Sequence, residues 1–327
     1  MKWPILLAVV LDLSIRCVAS FAEGPPDADS LSTARSGPHI DKLFSDGGVV
    51  RFQIIQGRLC LDAPRHRKGA ETIESDLSFE SIVVTADRGL PSVHYVSKRP
   101  DQSLKLDVLD AVSVRMESTL NQTSERSILE QPPYGLIGWT IERAGLVDRY
   151  EGTTLLHVRY QNPEVFDMHF GSLIERVLGG RSLANLSSET RHWSMTHAIK
   201  GTLPHRSAID ECVAMLSSNR QSSRRNAQQQ LLSWGTPIIA ALHETLSSNL
   251  DAEQRLRIQQ TIRMLRPQIE DTPRSLAMLM VNDRDYWKLV SPQLSTMQIV
   301  AVNDHLGSVG LSQLDASGQP SARVAER

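Results

Sequence analysis

From about residue 46 to 160, apolar and polar positions alternate with the period of β-strands. Val50, Phe52 and Ile54 alternate with Arg51 and Gln53. Gln56-Gly57 then predicts a turn, and Leu59 and Leu61 alternate with Cys60 and Asp62, which is hairpin patterning. The basic, polar run 64–69 reads as an exposed loop. Further strands are predicted over 78–85, 92–97, 103–109, 112–120, 136–142 and 153–160. Turn residues separate most of them, including Asp87-Arg88-Gly89, Pro100-Asp101 and Gln131-Pro132-Pro133. Many short strands at this spacing imply an antiparallel sheet, sandwich or partial barrel.

The period changes at residue 162. Asn162 can cap a helix, Pro163 suits its first turn, and Gly179-Gly180 ends it. Phe166, Phe170, Leu173, Ile174 and Val177 form one apolar face that should pack on the sheet. Residues 181–200 are polar and irregular and read as a linker. From 204 the pattern is helical. Ile209, Cys212, Val213 and Leu216 mark one helix; Ala227, Leu231 and Trp234 mark a second, ended by Gly235. Thr236-Pro237 begins a third, Asp251 caps a fourth with Pro267 just past its end, and Thr272-Pro273 begins a fifth. Trp287 lies in a short sixth helix, and Ser295 or Thr296 opens a seventh, stopped by Gly307.

Two of these helix pairs echo one another. Arg224, Ala227, Gln228, Gln229, Leu231 and Trp234 recur 31 residues later as Arg255, Ile258, Gln259, Gln260, Ile262 and Leu265. Ile209, Cys212 and Leu216 return at an offset of 30 as Ile239, Leu242 and Leu246. A period in this range, carried by helix pairs, is the signature of stacked helical repeats. Arg225, Ala227, Leu231, Leu232, Gly235 and Pro237 resemble the pattern of a HEAT-like repeat, of the kind found in secreted proteins of planctomycete-type bacteria. The resemblance covers roughly 206–266 and implies an interaction scaffold, since such repeats build surfaces. With only two units, other helices, the strand domain or another molecule should cover the open ends.

The expected fold is therefore α+β with two domains. An antiparallel β-rich domain ending in one packed helix (46–180) is joined by a linker (181–203) to an all-α HEAT-like domain (204–310). A flexible leader (23–45) precedes them and a disordered tail (311–327) follows.

Residues 1–22 read as a signal peptide. Met1-Lys2 is the positive start, residues 3–15 are largely apolar but too short to span a membrane, and Ser20-Phe21-Ala22 offers a cleavage site before Glu23. Cys17-Val18-Ala19 offers a second site, and Arg16 before Cys17 opposes a lipoprotein. No later stretch is long and apolar enough to span a bilayer, so no stable membrane span is expected after cleavage. The chain is then secreted or periplasmic, in the cell envelope. Cys60 and Cys212 remain and fall in different predicted domains, which favours two separate buried thiols over a disulfide. A net charge of −2 lacks the footprint of a nucleic-acid binder. Aromatic residues make up only 5%, leaving few platforms for sugars or bases. Asn121 and Asn185 open glycosylation sequons, relevant only in a eukaryotic secretory pathway.

Candidate chemistry is sparse. His192 and His197 are five residues apart, with His169 upstream and His205 downstream, and no Cys or carboxylate completes a metal pattern. Asp167 and His169 point in different directions on a helix, so a packing role is expected for His169. Nucleophile-elbow, phosphate-loop, dinucleotide and His-Glu-x-x-His motifs are absent. Arg224, Arg225, Arg255 and Arg257 suggest an anion stripe, but Asp251 and Glu253 sit four residues before Arg255 and Arg257 and favour surface ion pairs. Trp234 and Trp287 read as core anchors, whereas Trp193 either pins the two domains or faces a partner.

No catalytic, cofactor-binding or metal-binding residue is assigned, and no cofactor is expected. The sequence reads as a non-catalytic protein with a structural or protein-interaction role and an unidentified protein partner. A hydrolase with its site at the domain junction is the alternative, and it requires His169 to meet His192 or His197. Carbohydrate or cell-wall binding by the β-rich domain requires an exposed row from Tyr95, Tyr134 and Trp139.

Overall fold

In the β region the alternation becomes strands that run further than the sequence suggests. The computed structural model describes residues 50–314 apart from 67, 198, 200–203 and 268. The predicted signal segment, leader and tail from 315 lie outside the described residues. β1 (Val50–Ile55) and β2 (Arg58–His66) form a separate hairpin. β3 (Gly69–Ser75), β4 (Ser78–Asp87), β5 (Leu90–Lys98), β6 (Gln102–Leu109), β7 (Ser113–Leu120), β8 (Glu125–Gln131), β9 (Ile137–Arg143) and β10 (Leu146–Gly152) form an eight-stranded antiparallel sheet in sequential order.

Tight turns set this topology. Gln56-Gly57, Arg88-Gly89 and Ala144-Gly145 all have positive φ at both positions, the geometry that matches the twist of paired strands. Several readings need correction. The run at 64–69 is not a loop: β2 extends to His66 and β3 starts at Gly69. β3, β8 and β10 have no counterpart among the predicted strands, because charged and polar residues interrupt them: Glu71 and Glu74 in β3, arginine and glutamate in β8, and Asp148, Arg149 and Glu151 in β10. Residues 153–160 are not a strand. They hold helix α1 (Leu155–Gln161), capped by Thr154, whose hydroxyl accepts from the His157 amide. Leu155, Leu156 and Val158 are all buried there, so packing on several sides overrides the strand propensity of Thr and Val.

One sheet face is polar, with cross-strand pairs such as Arg126–Glu117 and Arg115–Glu130. The other carries the core. Across it lies the helix predicted from Asn162, made of α2 (Pro163–Phe166), a wider five-residue π-turn (Asp167–Gly171) and α3 (Ser172–Val177). Asn162 caps it, and Gly179 and Gly180 close it with left-handed φ, the Gly180 amide donating to Glu175 O at 2.7 Å. Phe166, Phe170, Leu173, Ile174 and Val177 are all buried, each contributing about 1.5–3 kcal/mol over an exposed position.

Within the predicted linker, residues 183–196 are not irregular. α4 (Leu183–Thr196) is a full helix, capped by Ser182, that packs along α9 (Pro273–Met280). Its buried residues are mostly small and polar, Ser187, Thr190 and Ser194, which hid the buried face from a hydrophobic count. Trp193 on this helix is half-buried, stacks near His197 and lies under the Arg274 guanidinium, so it is part of the packing.

Then come α5 (Arg206–Met215), α6 (Gln221–Trp234), α7 (Ile239–Thr245), α8 (Ala252–Met264), α10 (Arg284–Val290) and α11 (Thr296–Ser308). Asp251, Thr272 and Ser295 cap their helices in reciprocal capping boxes. Helices α5–α8 share one core in which duplicated positions are buried alike: Ala227 with Ile258, Leu231 with Ile262, Cys212 with Leu242. The duplicated arginines also act alike. Arg224 donates to Ser218 O and Arg255 to Leu246 O, each capping the end of the preceding helix. A second, larger core joins the hairpin, the sheet, α1–α3 and α9–α11. Trp287 is buried in it, and Trp234 packs at the edge of the smaller core. Cys60 and Cys212 are separate buried thiols.

An ion pair sits inside the larger core. His157 Nε2 lies 2.9 Å from Asp283 Oδ2, off the hydrogen-bonding line, with Thr154 Oγ1 2.8 Å from Nδ1. Burial alone would keep the imidazole neutral, but the Asp283 charge outweighs it and the His157 pKa is raised. Burial would likewise raise Asp283, but His157, the Tyr286 amide and the Thr153 hydroxyl hold it below the ordinary value. A raised imidazole stabilises the fold fully below about pH 6.5 and loses this as pH rises through its folded value. A lowered carboxyl stabilises above about pH 3.9 and loses this as pH falls. The pair therefore contributes most between about pH 4 and 6.5. Asp283→Asn should cost about 3 kcal/mol in that window and flatten the pH dependence of the urea midpoint. A variant curve parallel to wild type at every pH would show that the pair is not ionised.

Candidate ligand-binding cleft

Period two places Glu80, Ile82 and Val84 of β4 on the core face of the sheet, so Glu80 occupies a position where the pattern calls for an apolar side chain. Ser97 of β5 pairs with it across the strands, and the inward row continues through Leu104, Ser118 and Ser127. Helix α3 answers this polar row. Arg176 holds Glu80 through both terminal nitrogens, at 2.9 and 3.2 Å, and also donates to the Tyr95 hydroxyl at 3.0 Å. Arg99, in the β5–β6 turn, donates to the same carboxylate at 2.9 Å, and Ser97 at 3.3 Å. Burial would raise the Glu80 pKa, but the hydrogen bonds and charges of Arg176 and Arg99 outweigh it and hold the carboxyl below the usual range.

Above this floor opens a cleft of 530 Å³ between the sheet end and α3. That lies within the roughly 300–1,000 Å³ typical of small-molecule sites. Ile73, Leu77, Leu104 and Leu173 supply apolar walls, and Arg99 and Asp101 supply charge at the rim. Leu77, in the β3–β4 turn, is 75% exposed, an apolar side chain held at the mouth. On the floor Glu80, Arg176, Arg99 and Tyr95 are tied to one another.

A second arrangement looks catalytic in outline. Glu125 Oε1 lies 3.2 Å from His169 Nε2, and His169 Nδ1 lies 2.9 Å from Ser118 Oγ. This carboxylate–imidazole–hydroxyl order is that of an acyl-transfer relay. Ser118 and His169 are both 0% exposed, which leaves no approach for a substrate. Gln102 completes the cluster by donating to Ser118 Oγ and to the His169 carbonyl, which lies in the π-turn. Burial lowers the His169 pKa although Glu125 opposes it, so the ring is a neutral packing element. Asp167 pairs with Arg159.

His169 does not meet the other histidines. His192 is on α4, and His197 is exposed against Thr196 and Trp193. His205 caps α5 and touches Gly310. No group of three metal-binding side chains occurs among the described residues. Tyr95 and Trp139 are core residues and Tyr134 contacts Arg263, so the three form no exposed aromatic row. The arginine stripe is occupied in part: Arg257 pairs with Glu253 and Gln228, whereas Asp251 caps its helix and leaves Arg255 to Leu246 O. Sequence reasoning passed over Glu80, Arg176, Glu125, His157 and Asp283. The signal available for Glu80 and Glu125 was an acidic residue on the apolar register of a strand.

No known protein family, curated protein or solved structure matches the chain.

Glu80→Gln should lower stability by about 2 kcal/mol at neutral pH, a value reduced for the half-exposed Arg99. Glu80 is lowered on folding, so this loss should shrink as pH falls below about 4.3. An unchanged thermal midpoint at neutral pH would show that water screens the pair.

Proposed function

We propose that the protein is a non-catalytic binding protein of the cell envelope, secreted or periplasmic. It holds an amphipathic ligand in the cleft between β4–β6 and α3, and meets a protein partner through its stacked helices. The observation that carries this reading is a contrast. The His169 and His157 clusters, which hold catalytic residue types, are sealed, while the open cleft presents apolar walls around a floor on which Glu80, Arg176 and Arg99 are paired.

The duplicated helices support the scaffold role. Ala227 and Ile258, Leu231 and Ile262, and Cys212 and Leu242 are buried in one core, and Arg224 and Arg255 each donate to a carbonyl near the end of the preceding helix, which fits stacked HEAT-like units. Their surface also keeps Met215, Leu256 and Met264 exposed. The N-terminal pattern supports the envelope address, and no helix among the described residues is long and apolar enough to cross a membrane.

Two measurements test this. Anilinonaphthalene sulfonate, an apolar dye with one anionic group, should bind the native protein one to one. Leu77→Asp and Ser172→Trp, both exposed at the cleft, should weaken it about tenfold, or 1.4 kcal/mol, without lowering the thermal midpoint. Equal binding by both variants would remove the cleft reading. N-terminal sequencing of protein from the native envelope should begin at Glu23; a chain still carrying residues 1–22 would overturn the cleaved, secreted form.

A further inference from the structure

At the start of β2, directly after the turn, lies a buried guanidinium with no carboxylate in ion-pair contact among the described residues. Arg58 is 5% exposed. Its terminal nitrogens donate to Pro132 O at 2.8 Å, Gly135 O at 2.9 Å and Thr153 O at 3.0 Å. Its Nε–H has no partner. Two neighbours share that condition. Gln56 Nε2 is buried without a partner. His243 Nδ1 accepts the Gly135 amide at 3.0 Å, which places the ring proton on Nε2, and that nitrogen is also buried and unpartnered.

Arg58, Gln56 and His243 line one pocket of 50 Å³ together with Cys60, Arg263 and Arg266. No acidic residue lines it. Among the described residues no carboxylate pairs with Arg58, Arg263 or Arg266. The pocket thus gathers three orphaned donors, all at least nine-tenths buried, and three guanidiniums. Burial, with Arg58 beside it, pushes His243 down to about 3, and burial raises the Cys60 thiol, so neither adds charge at neutral pH.

We propose that this pocket is an anion site that takes one carboxylate group. A single water has two lone pairs and satisfies two of the three donors at most. A carboxylate has two oxygens with about four acceptor positions, enough for all three, and its planar shape suits a guanidinium edge. One negative charge complements the buried Arg58 guanidinium at the lowest desolvation cost, whereas a dianion brings a second charge that only the half-buried Arg266 would offset. The volume is several times the roughly 10–15 Å³ that a single water needs, which leaves room for a group of this size. Arg266, half-buried at the pocket without a side-chain partner, supplies the second cation.

The test is thermal unfolding with sodium formate and sodium acetate against sodium chloride at matched ionic strength. Formate should raise the midpoint saturably in the wild type, by linkage to the folded state. Arg266→Gln, which removes no side-chain hydrogen bond or ion pair among the described residues, should weaken the apparent affinity about tenfold. No advantage of formate over chloride, or an equal response in the variant, would overturn the proposal. Sulfate binding more tightly than formate would also overturn it. Acetyl-triglycine and its amide identify the source. Tighter binding of the acid than of acetate places the carboxylate on a peptide end, and tighter binding of acetate assigns a free small anion. Binding of the acid that is matched by the amide would show a contact that does not read the carboxylate and would sink the site.

Discussion

The turn at Gln56-Gly57 joins the two kinds of structure in this chain. Its backbone meets the helices in both directions: Gly57 N–H donates to the Asp271 carboxylate at 2.7 Å, Asp271 N–H donates to Ile54 O at 2.7 Å, and Leu155 N–H donates to Gly57 O at 2.9 Å. Arg58, the next residue, gathers three carbonyls from the loop after β8 and the end of β10. No side chain fits at Gly57, where a Cβ would stand 2.4 Å from Thr154 and φ is +70°. Without this anchor the hairpin would have no fixed position over the sheet, and α1 and α9 would lose the amide and carboxylate partners that seat them. The cost of the arrangement shows in Asp271, whose carboxyl burial raises to about 6 against the pull of its Gly57 and Ser275 hydrogen bonds.

The sheet and its covering helix follow a second rule, that each polar group on the inner face is met by one from the helix or a neighbouring strand. Arg176 answers Glu80, His169 answers Ser118 and Glu125, and Trp139 donates to Ser127 at 2.7 Å. Unsatisfied groups there would be expensive in so apolar a layer. The same rule explains why the Glu125–His169–Ser118 series is a packing device, since each member's capacity is used by another and none faces open space. It also separates the cleft from the core, because the Glu80 cluster sits where the layer thins out toward the β3–β4 turn.

Much of the architecture was legible in advance. Hairpin turns with glycine, the capped helix from Asn162, and the later helices with Asp251, Thr272 and Ser295 at their starts all carry local chemistry that acts over a few residues. The misses have one cause in common. Residues 153–160 look like a strand and 181–200 like a linker because their burial comes from distant elements. Ser187, Thr190 and Ser194 can be buried on α4 because α9 lies close along it, and nothing in the local pattern announces a helix packed through small polar residues.

The sequence by itself determined the fold class and most element boundaries that glycine, proline and capping residues mark, because these depend on dihedral preference and periodicity. Only the tertiary structure decided which charges meet. Glu80 reaches Arg176 across 96 residues, His157 meets Asp283 near the end of the chain, and Gln56, Arg58 and His243 converge on one pocket. Electrostatic partners are set by proximity in space, and a strand or helix period says which face a side chain occupies without saying what will lie opposite it.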